Sequence, residues 1–372
     1  MQSTIAPIQQ LQNWLGNGLR PTLIAGPCSA ETEEQVHATV KALAASGKVS
    51  MIRAGIWKPR TRPNSFEGVG EKGLTWLKDA GIATNLPVMT EVANAHHVEL
   101  ALKAGMDALW IGARTSVNPF TVQEIADALK GLDIPIFVKN PVNPDLQLWI
   151  GAIERFMNAG INRIAAIHRG FSYHGESVYR NEPMWEIPIR LRTIMPDLPV
   201  FCDPSHICGK RDLLALVSQR AMDMGMDGLM IETHPNPDKA WSDAAQQITP
   251  ETLLTLINSL AIRQENISSA EIRDGLSELR TRIDLLDAQI LDLISARMGI
   301  AREIGQYKKE NGITILQLER WMEIVKTRGF RADKLGLSDD FIRNYLEQLH
   351  KESILHQTRV MNASKGDDGV MW

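Results

Sequence analysis

Eight short apolar segments, each followed by a helix-like segment, occupy most of the first 233 residues of this 372-residue chain. Several are apolar almost throughout, as in parallel strands that are covered on both faces. Eight such strands alternating with helices over about 250 residues predict an α/β fold of the (β/α)8 TIM-barrel type. A doubly wound open sheet is the alternative, but no G-x-G-x-x-G follows an early strand. The predicted strands are TLIAG (22–26), SMIRA (50–54), PVMTE (87–91), DALWIG (107–112), IPIFVK (134–139), NRIAAIH (162–168), LPVFCD (198–203) and DGLMIET (227–233).

The sequence changes character after Leu260, where a polar stretch is followed by about ninety residues without a strand pattern. Apolar residues there recur at alternating spacings of four and three, which predicts one long helix packed against other helices. We call this row the apolar seam; it consists of Ile272, Leu276, Leu279, Ile283, Leu286, Ile290 and Leu293.

The helical region is expected to contain three helices, because ENG (310–312) ends the long one and periodic segments follow near 316–329 and 338–359. The predicted organisation is therefore a barrel domain at 1–262, a linker at 263–270, an all-α domain at 271–360 and a disordered tail at 361–372.

Composition excludes several classes of function. A net charge of -4 gives no electrostatic reason to expect a nucleic-acid or membrane partner. No apolar run of 18 residues is present, and MQSTIAPIQQ does not look like a secretory signal. Three cysteines, at 28, 202 and 208, cannot all pair. A cytoplasmic location is expected.

Each predicted strand is followed by a polar group at its C-terminal end, where barrels of this type build active sites. Six of these groups are cations, and together they imply a ligand with more than one anionic group, such as two phosphates and a carboxylate. For any single cation, the alternative is an ion pair on the protein surface. The six are Arg53, Lys58, Arg60, Arg114, Lys139 and Arg169.

A second set at the same strand ends combines a thiol, an imidazole and two carboxylates: Cys28, His206, Glu232 and Asp243. Such mixed donors suit a divalent transition ion such as Mn, Fe or Zn. Their wide spacing forms no metal motif. The alternatives to a metal site are that Cys28 is a small buried hydrophobic residue and that His206 is a hydrogen-bonded loop residue.

Five motifs in this order resemble the type I beta 3-deoxy-D-arabino-heptulosonate 7-phosphate (DAHP) synthases. They are GPCS (26–29), KPRTRPNSFEGVG (58–70), IGAR (111–114), DPSH (203–206) and ETHP (232–235) followed by SD (242–243). The resemblance covers most of residues 15 to 260. It implies the condensation of phosphoenolpyruvate with erythrose 4-phosphate and loss of phosphate, the first step of the shikimate pathway.

The resemblance also implies roles for single residues. Cys28, His206, Glu232 and Asp243 would hold the metal, with Mn2+ favoured and Fe2+, Co2+ or Zn2+ as alternatives. Phosphoenolpyruvate would be held by Arg53, Lys58, Arg114, Lys139 and Arg169, with Lys58 and Lys139 also catalytic and Asp203 among the substrate-binding residues. Arg60 and Thr61 would bind the phosphate of erythrose 4-phosphate. Candidates for activating water are Glu91, Asp203 and His168. Departures from the family pattern are Arg62, often Ser, and Asn140-Pro141, often Arg-Gly.

In the helical region the apolar seam continues to Arg297, which would extend to solvent, pair with a carboxylate or meet an anionic ligand in the bundle core. Lys308 follows eleven residues later, close to three turns, and so lies on the same face about 16 Å away. Arg280 is rotated by about 100° and should address a different pocket, such as one in a partner chain.

This spacing, with ER at 319–320 and S-x-x-x-Q at 353–357, resembles the AroQ-class chorismate mutases over about residues 271 to 360. The resemblance implies an intertwined helical dimer that rearranges chorismate to prephenate without a cofactor. Arg297 and Arg320 would bind substrate carboxylates, with Arg280 reaching in from the partner. Lys308 and Gln357 would stabilise the breaking ether oxygen, and Ser353 would assist binding. Departures are Gln317, often Asp, and Trp321, often a Glu that contacts the substrate hydroxyl.

Together the two regions predict a bifunctional enzyme that is a homodimer or larger homo-oligomer. We hypothesise that prephenate or chorismate, bound to the helical domain, restrains the barrel. One alternative is a DAHP synthase whose mutase-like domain only binds a regulatory ligand. A synthase that uses arabinose 5-phosphate is a second alternative, against which the KPRT loop and the fused mutase argue. A catalytically inactive phosphate-binding scaffold is a third.

Overall fold

The computed structural model describes residues 7–16, 18–58, 66–263 and 269–363. It divides into two compact units, Met1–Glu265 and Asn266–Trp372. The boundary between the units falls within the segment predicted as a linker, of which residues 264–268 lie outside the described part.

The first unit contains a closed barrel of eight parallel strands in sequence order. Each strand coincides with one of the eight predicted apolar segments, except that the third strand ends one residue later, at Val92, so the predicted TIM barrel is confirmed. The barrel closes between its first and last strands, which pair from Thr22 opposite Gly228 to Gly26 opposite Glu232. The strands are β1 (Thr22–Gly26), β2 (Met51–Arg53), β3 (Val88–Val92), β4 (Ala108–Ile111), β5 (Ile136–Lys139), β6 (Ile164–His168), β7 (Val200–Cys202) and β8 (Gly228–Glu232).

The helices around the barrel begin at residues that suit helix starts. Thr32 and Asp145 each accept a hydrogen bond from a backbone N–H three residues later, and Pro119, Pro204 and Pro250 occupy first-turn positions. The helices are α1 (Glu33–Ala45), α2 (Glu71–Thr84), α3 (Ala95–Lys103), α4 (Pro119–Ala128), α5 (Leu146–Asn158), α6 (Glu186–Ile194), α7 (Pro204–Cys208), α8 (Leu214–Asp223) and α9 (Pro250–Ser259).

Alternation along each strand sends side chains to two separate layers. In β5, Ile136 and Val138 join the layer between strands and helices, whereas Phe137 points into the barrel. Phe137 packs edge-on against Phe201 at 5.4 Å, and Trp14 covers it from the N-terminal segment at 5.6 Å. The next inward position in β5 is Lys139. The interior is thus apolar at its base and charged at the C-terminal ends of the strands.

Over residues 269–363, the second unit consists of three helices, as predicted, and is all-α: α10 (Ala270–Glu310), α11 (Leu318–Lys334) and α12 (Asp339–Asn362). α10 and α12 approach closely at Gly305, where an added Cβ would lie 3.0 Å from the Cα of Gln357. The helices extend slightly further than predicted: Ala270 of the linker and residues 361–362 of the tail are helical. The remaining tail, residues 364–372, lies outside the described part of the chain.

The apolar seam is exposed within a single chain. Its residues from Ile272 to Leu293 have exposed fractions of 46–70%, except for the half-buried Leu276. In the described ranges, no helix is both long enough and apolar enough to cross a membrane.

Replacement of Phe137 by Ala should lower the free energy of unfolding of the barrel by about 3–5 kcal/mol, because it empties a fully buried site inside the barrel. Phe120→Ala is the matched control, since Phe120 is 83% exposed, and should change the same free energy by less than about 0.5 kcal/mol. Guanidinium unfolding followed by near-ultraviolet circular dichroism measures both. Equal effects of the two substitutions would contradict this packing.

Candidate active site

A cavity of about 270 Å³ lies at the C-terminal ends of the barrel strands. Four of the six predicted cations line it: Lys58, Arg114, Lys139 and Arg169. The other lining side chains with polar groups are Glu91, Arg180, Asn181, His206 and Asp243. The cavity therefore concentrates positive charge where the sequence places the anion-binding groups.

Arg53 lies beneath this cavity and is 1% exposed. Its guanidinium donates a hydrogen bond to the carbonyl oxygen of Cys28 at 3.1 Å and pairs with Glu232 Oε1 at 3.2 Å. It also lies over the Trp110 ring, 4.7 Å from the ring centroid. Within the described residues, Arg53 thus holds two predicted metal ligands in place and is not among the side chains that line the cavity.

Asp203 is the centre of a buried charge network. Its Oδ2 lies 2.7 Å from Lys139 Nζ and 2.8 Å from His206 Nδ1. Burial alone would raise the pKa of Asp203, but the charges of His206 and Lys139 outweigh it and hold the pKa well below its usual value. The carboxylate is therefore ionised, and it directs the other imidazole nitrogen, Nε2, towards Glu232 Oε1 at 3.8 Å.

The four predicted metal ligands form two neighbouring pairs. His206 faces Glu232, and Cys28 Sγ lies 3.4 Å from Asp243 Oδ2. Burial, together with the charge of Glu232, raises the pKa of Cys28 to about 12. Lys58 Nζ donates a hydrogen bond to the same sulfur at 2.9 Å.

These residues fit a divalent ion by their chemistry. The set offers sulfur, imidazole nitrogen and carboxylate oxygen donors around buried negative charge, and a cation already lies against the sulfur. A bound metal would stabilise the thiolate that burial disfavours. Across the parts of the chain that the structure describes, no three His, Cys, Asp or Glu side chains already stand around a common ion position. The two pairs would have to draw together around the ion.

Arg180 and Asn181 line the cavity but were missed by the sequence analysis. Arg180 Nη1 lies 3.1 Å from Asp243 Oδ1 and 2.8 Å from Gln246 Oε1, and Gln246 Nε2 donates to Glu232 Oε2 at 2.6 Å. Burial raises the pKa of Asp243, but Lys58 and Arg180 outweigh this and lower the pKa overall. The only sequence signal was an arginine within the long loop after β6.

Asn140, a departure from the family pattern, positions Arg169. Its Oδ1 accepts a hydrogen bond from the Arg169 backbone N–H at 2.7 Å, and its Nδ2 donates to the carbonyl oxygens of Pro141 and Gly170, each at 2.8 Å. Arg169 Nη1 donates to Asn181 Oδ1 at 2.6 Å. Burial, with the charges of Arg180 and Arg114 nearby, lowers the pKa of Arg169 to about 10. The amide therefore has a structural role here.

The candidates for activating water are now distinguished by position. Glu91 lines the cavity, with its Oε2 accepting a hydrogen bond from Trp110 Nε1 at 2.9 Å. His168 faces away from the barrel interior and packs against Phe171 and Trp185. Burial and the charge of Arg169 lower its pKa to about 3. His168 is not among the residues that line the cavity.

Arg60 and Thr61 belong to residues 59–65, which lie outside the described part of the chain. The base of their loop is ordered by a hydrogen bond from Lys58 N to Glu67 O at 2.8 Å and by a bridge between Trp57 and Gly68. A second cavity, of about 200 Å³, lies beneath this base and shares Lys58 and Glu91 with the first. There is thus space for a second ligand beside the cationic cavity.

Four predicted residues of the second unit lie on α10 and α12, and two of them are in contact. Arg297 donates hydrogen bonds to Ser353 Oγ and to Leu349 O, and Ser353 and Gln357 are buried. Lys308, also buried, donates to Ile315 O at 2.6 Å. Burial and the nearby charge of Arg328 lower the pKa of Arg297.

Two other predicted residues lie on the exposed surface of a single chain. Arg320 pairs with Glu323 at 2.6 Å and its side chain is 59% exposed. Arg280 lies on the exposed first half of α10, about 25 Å along the helix from Arg297. Gln317 and Lys308 line a groove of about 460 Å³ with apolar residues of α10.

Each of the two units matches a known protein family. The DAHP synthetase I family matches residues 4–267, and chorismate mutase type II matches residues 279–358.

Individual relatives match the barrel. The chain is 32% identical over 246 residues to phospho-2-dehydro-3-deoxyheptonate aldolase of Thermotoga maritima, covering 66% of this chain and 70% of that protein. It is 26% identical over 282 residues to 2-dehydro-3-deoxyphosphooctonate aldolase of Dechloromonas aromatica, covering 69% and 95%.

A crystal structure of the Thermotoga maritima DAHP synthase superimposes with a TM-score of 0.58 at 31% identity, covering 64% of this chain and 67% of that one. The predicted resemblances are thereby confirmed. The chain belongs to the DAHP synthetase I family and carries a chorismate mutase type II region, so it is an enzyme that joins these two activities of the shikimate pathway.

Proposed function

We propose that the barrel condenses phosphoenolpyruvate with erythrose 4-phosphate in a metal-dependent reaction that yields DAHP and phosphate. The observation that carries this proposal is the cationic cavity beside the set Cys28, His206, Glu232 and Asp243. A reaction between two anionic substrates needs such a cavity, because fixed cations offset their repulsion and orient their approach.

Phosphoenolpyruvate carries a phosphate and a carboxylate, and the cavity offers cations for both. Arg114, Lys139 and Arg169 line it together with Lys58 and the newly identified Arg180. The guanidinium groups suit bidentate contacts with phosphate or carboxylate, whereas the lysines supply point charges. The second cavity beside Lys58 is the proposed place of erythrose 4-phosphate, with Arg60 and Thr61 binding its phosphate.

DAHP synthases generally depend on a divalent metal, and Mn2+ is proposed here, with Fe2+, Co2+ or Zn2+ as alternatives. When bound, the ion supplies Lewis-acid polarisation of the aldehyde oxygen. The protein groups prepare its ligands: Asp203 fixes the His206 ring, Arg53 holds Glu232, and Arg180 orients Asp243. Glu91 is the candidate for activating water that faces both cavities.

Removal of the metal should abolish synthase activity. We expect EDTA to stop the loss of phosphoenolpyruvate absorbance in the presence of erythrose 4-phosphate, and Mn2+ to restore it. Cys28→Ser should weaken metal binding by roughly 10–100-fold or more. A loss of that size follows removal of a residue that only supports a metal ligand, and Cys28 is proposed to be a ligand itself. Cys208→Ser, at another buried free thiol, is the control and should retain metal and activity. Turnover that survives EDTA would contradict a metal-dependent barrel.

The helical unit is proposed to rearrange chorismate to prephenate without a cofactor. Its support is the cluster of Arg297, Lys308, Ser353 and Gln357, in which Gln357 Oε1 is buried and has no hydrogen-bond partner among the described residues. Arg297 and Arg320 would bind the carboxylates, while Lys308 and Gln357 stabilise charge on the breaking ether oxygen. A unit that only binds a regulatory ligand is the alternative, and chorismate turnover by the full chain distinguishes the two.

A second copy of the chain is the proposed partner of the apolar seam. Leucine and isoleucine side chains along 41 residues of helix would otherwise stay in water. Association along the seam would also give Arg280, remote from Arg297 in its own chain, a place in the partner's site. A homodimer through α10, or a larger assembly containing it, is proposed.

Leu286→Glu should weaken this association by about 10-fold or more, because a charge replaces an apolar side chain in the seam. Sedimentation velocity measures the change, and chorismate turnover should fall with it whereas phosphoenolpyruvate consumption persists. Gln289→Glu adds the same charge on the same exposed helix outside the seam and should leave the association unchanged. Equal sedimentation of both variants and the parent protein would contradict the proposed dimer.

Prephenate is further proposed to restrain the barrel by binding to the helical unit, since both reactions serve aromatic amino-acid biosynthesis. Prephenate should slow phosphoenolpyruvate consumption by the full chain. Arg297→Ala should raise the half-inhibitory prephenate concentration by about 10-fold or more, the effect of losing a charged hydrogen bond. Arg343→Ala, which removes an exposed arginine of α12, is the control and should leave the half-inhibitory prephenate concentration unchanged. A synthase rate unchanged by saturating prephenate would contradict the coupling.

The proposed location is the cytoplasm. All three cysteines are buried and free, as expected for a protein of a reducing compartment.

A further inference from the structure

His350 lies on the same face of α12 as Ser353 and Gln357. The three residues are separated by three and four positions, so their side chains follow one another along the helix. Arg297 of α10 contacts this face directly, through its hydrogen bonds to Ser353 Oγ and Leu349 O. His350 belongs to none of the motifs that the sequence offers.

The Nε2 atom of His350 is buried and makes no hydrogen bond within the described residues. Gln357 Oε1, two turns further along the same face, is also buried and makes no hydrogen bond within the described residues. A buried polar atom without a partner destabilises a fold, and such atoms in native proteins are usually satisfied by water or a ligand. Two of them on one helix face indicate a polar ligand between the helices.

The orientation of the His350 ring is fixed by Trp321 of α11. The two rings are stacked, with centroids 4.2 Å apart and planes 21° from parallel. Burial and the charges of Arg297 and Lys308 lower the pKa of His350. The ring is therefore neutral near pH 7, so that it offers one N–H and one lone pair, while the two cations beside it attract an anion.

We propose that His350 is a substrate-contacting residue of the helical unit, in which Trp321 orients the imidazole so that Nε2 forms a hydrogen bond with the chorismate hydroxyl. Arg297 and Lys308 hold the anionic groups of the same molecule. This inference rests on the proposed mutase function. It makes Trp321 a positioning residue, whose ring holds the imidazole that faces the ligand.

The test is chorismate turnover by full-length protein carrying His350→Leu or His350→Gln. His350→Leu removes the hydrogen bond and should lower kcat/KM by about 3- to 10-fold. His350→Gln places an amide near the position of Nε2 and should recover most of the loss. Phosphoenolpyruvate consumption by the barrel should stay unchanged in both variants, and far-ultraviolet circular dichroism with thermal unfolding reports on folding of the helical unit. His356→Leu, on the same helix but paired with Glu352, is the matched control and should retain mutase activity.

The outcomes separate the inference from the function on which it rests. Turnover of His350→Leu equal to that of the parent protein would overturn the role of His350 and leave the mutase function intact. Equal losses of kcat/KM in the leucine and glutamine variants would also overturn it, because the loss would then come from altered packing and not from a missing hydrogen bond. Absence of turnover in the parent protein would contradict the mutase function itself, and the inference with it.

Discussion

The charge network centred on Asp203 is the interaction on which the barrel site depends. This carboxylate is fully buried, and it joins Lys139 of the cationic cavity to His206 of the donor set. Without it, Lys139 would be an uncompensated buried cation and the His206 ring would lose its orientation. Asp203 is fixed in turn by its position as the residue before α7, where its Oδ1 accepts a hydrogen bond from His206 N. The proposed substrate-binding and metal-binding groups therefore share one anchor.

Much of this site follows from strand periodicity. Inward side chains in β2, β5 and β8 alternate with outward ones, so Arg53, Lys139 and Glu232 take the inward positions after the apolar ones. A charged residue at the end of an apolar strand could therefore be assigned to the site from sequence. The same rule excludes His168, because its inward neighbour in β6 is Ile167. Arg180 could not be found this way, since its position is set by a long loop and by pairing with Asp243.

The helical unit shows a different limit of sequence reasoning. The spacing of apolar residues correctly predicted a long helix. The spacing does not show whether these residues are covered within one chain, and the seam is exposed in a single chain. Arg297, Ser353 and Gln357 were placed in one site by the resemblance to the AroQ-class chorismate mutases, and not by periodicity. The stacking of Trp321 on His350 could not be predicted, because it depends on how α11 packs against α12.

The central proposal is that a metal ion is held by Cys28 together with His206, Glu232 and Asp243, directly beside the cations that are proposed to bind substrate. X-ray absorption spectroscopy at the metal edge of the Mn2+-loaded protein tests it most directly. The account predicts a sulfur scatterer in addition to nitrogen and oxygen, with the sulfur contribution absent from Cys28→Ser. A coordination sphere of nitrogen and oxygen alone in the unaltered protein would contradict it.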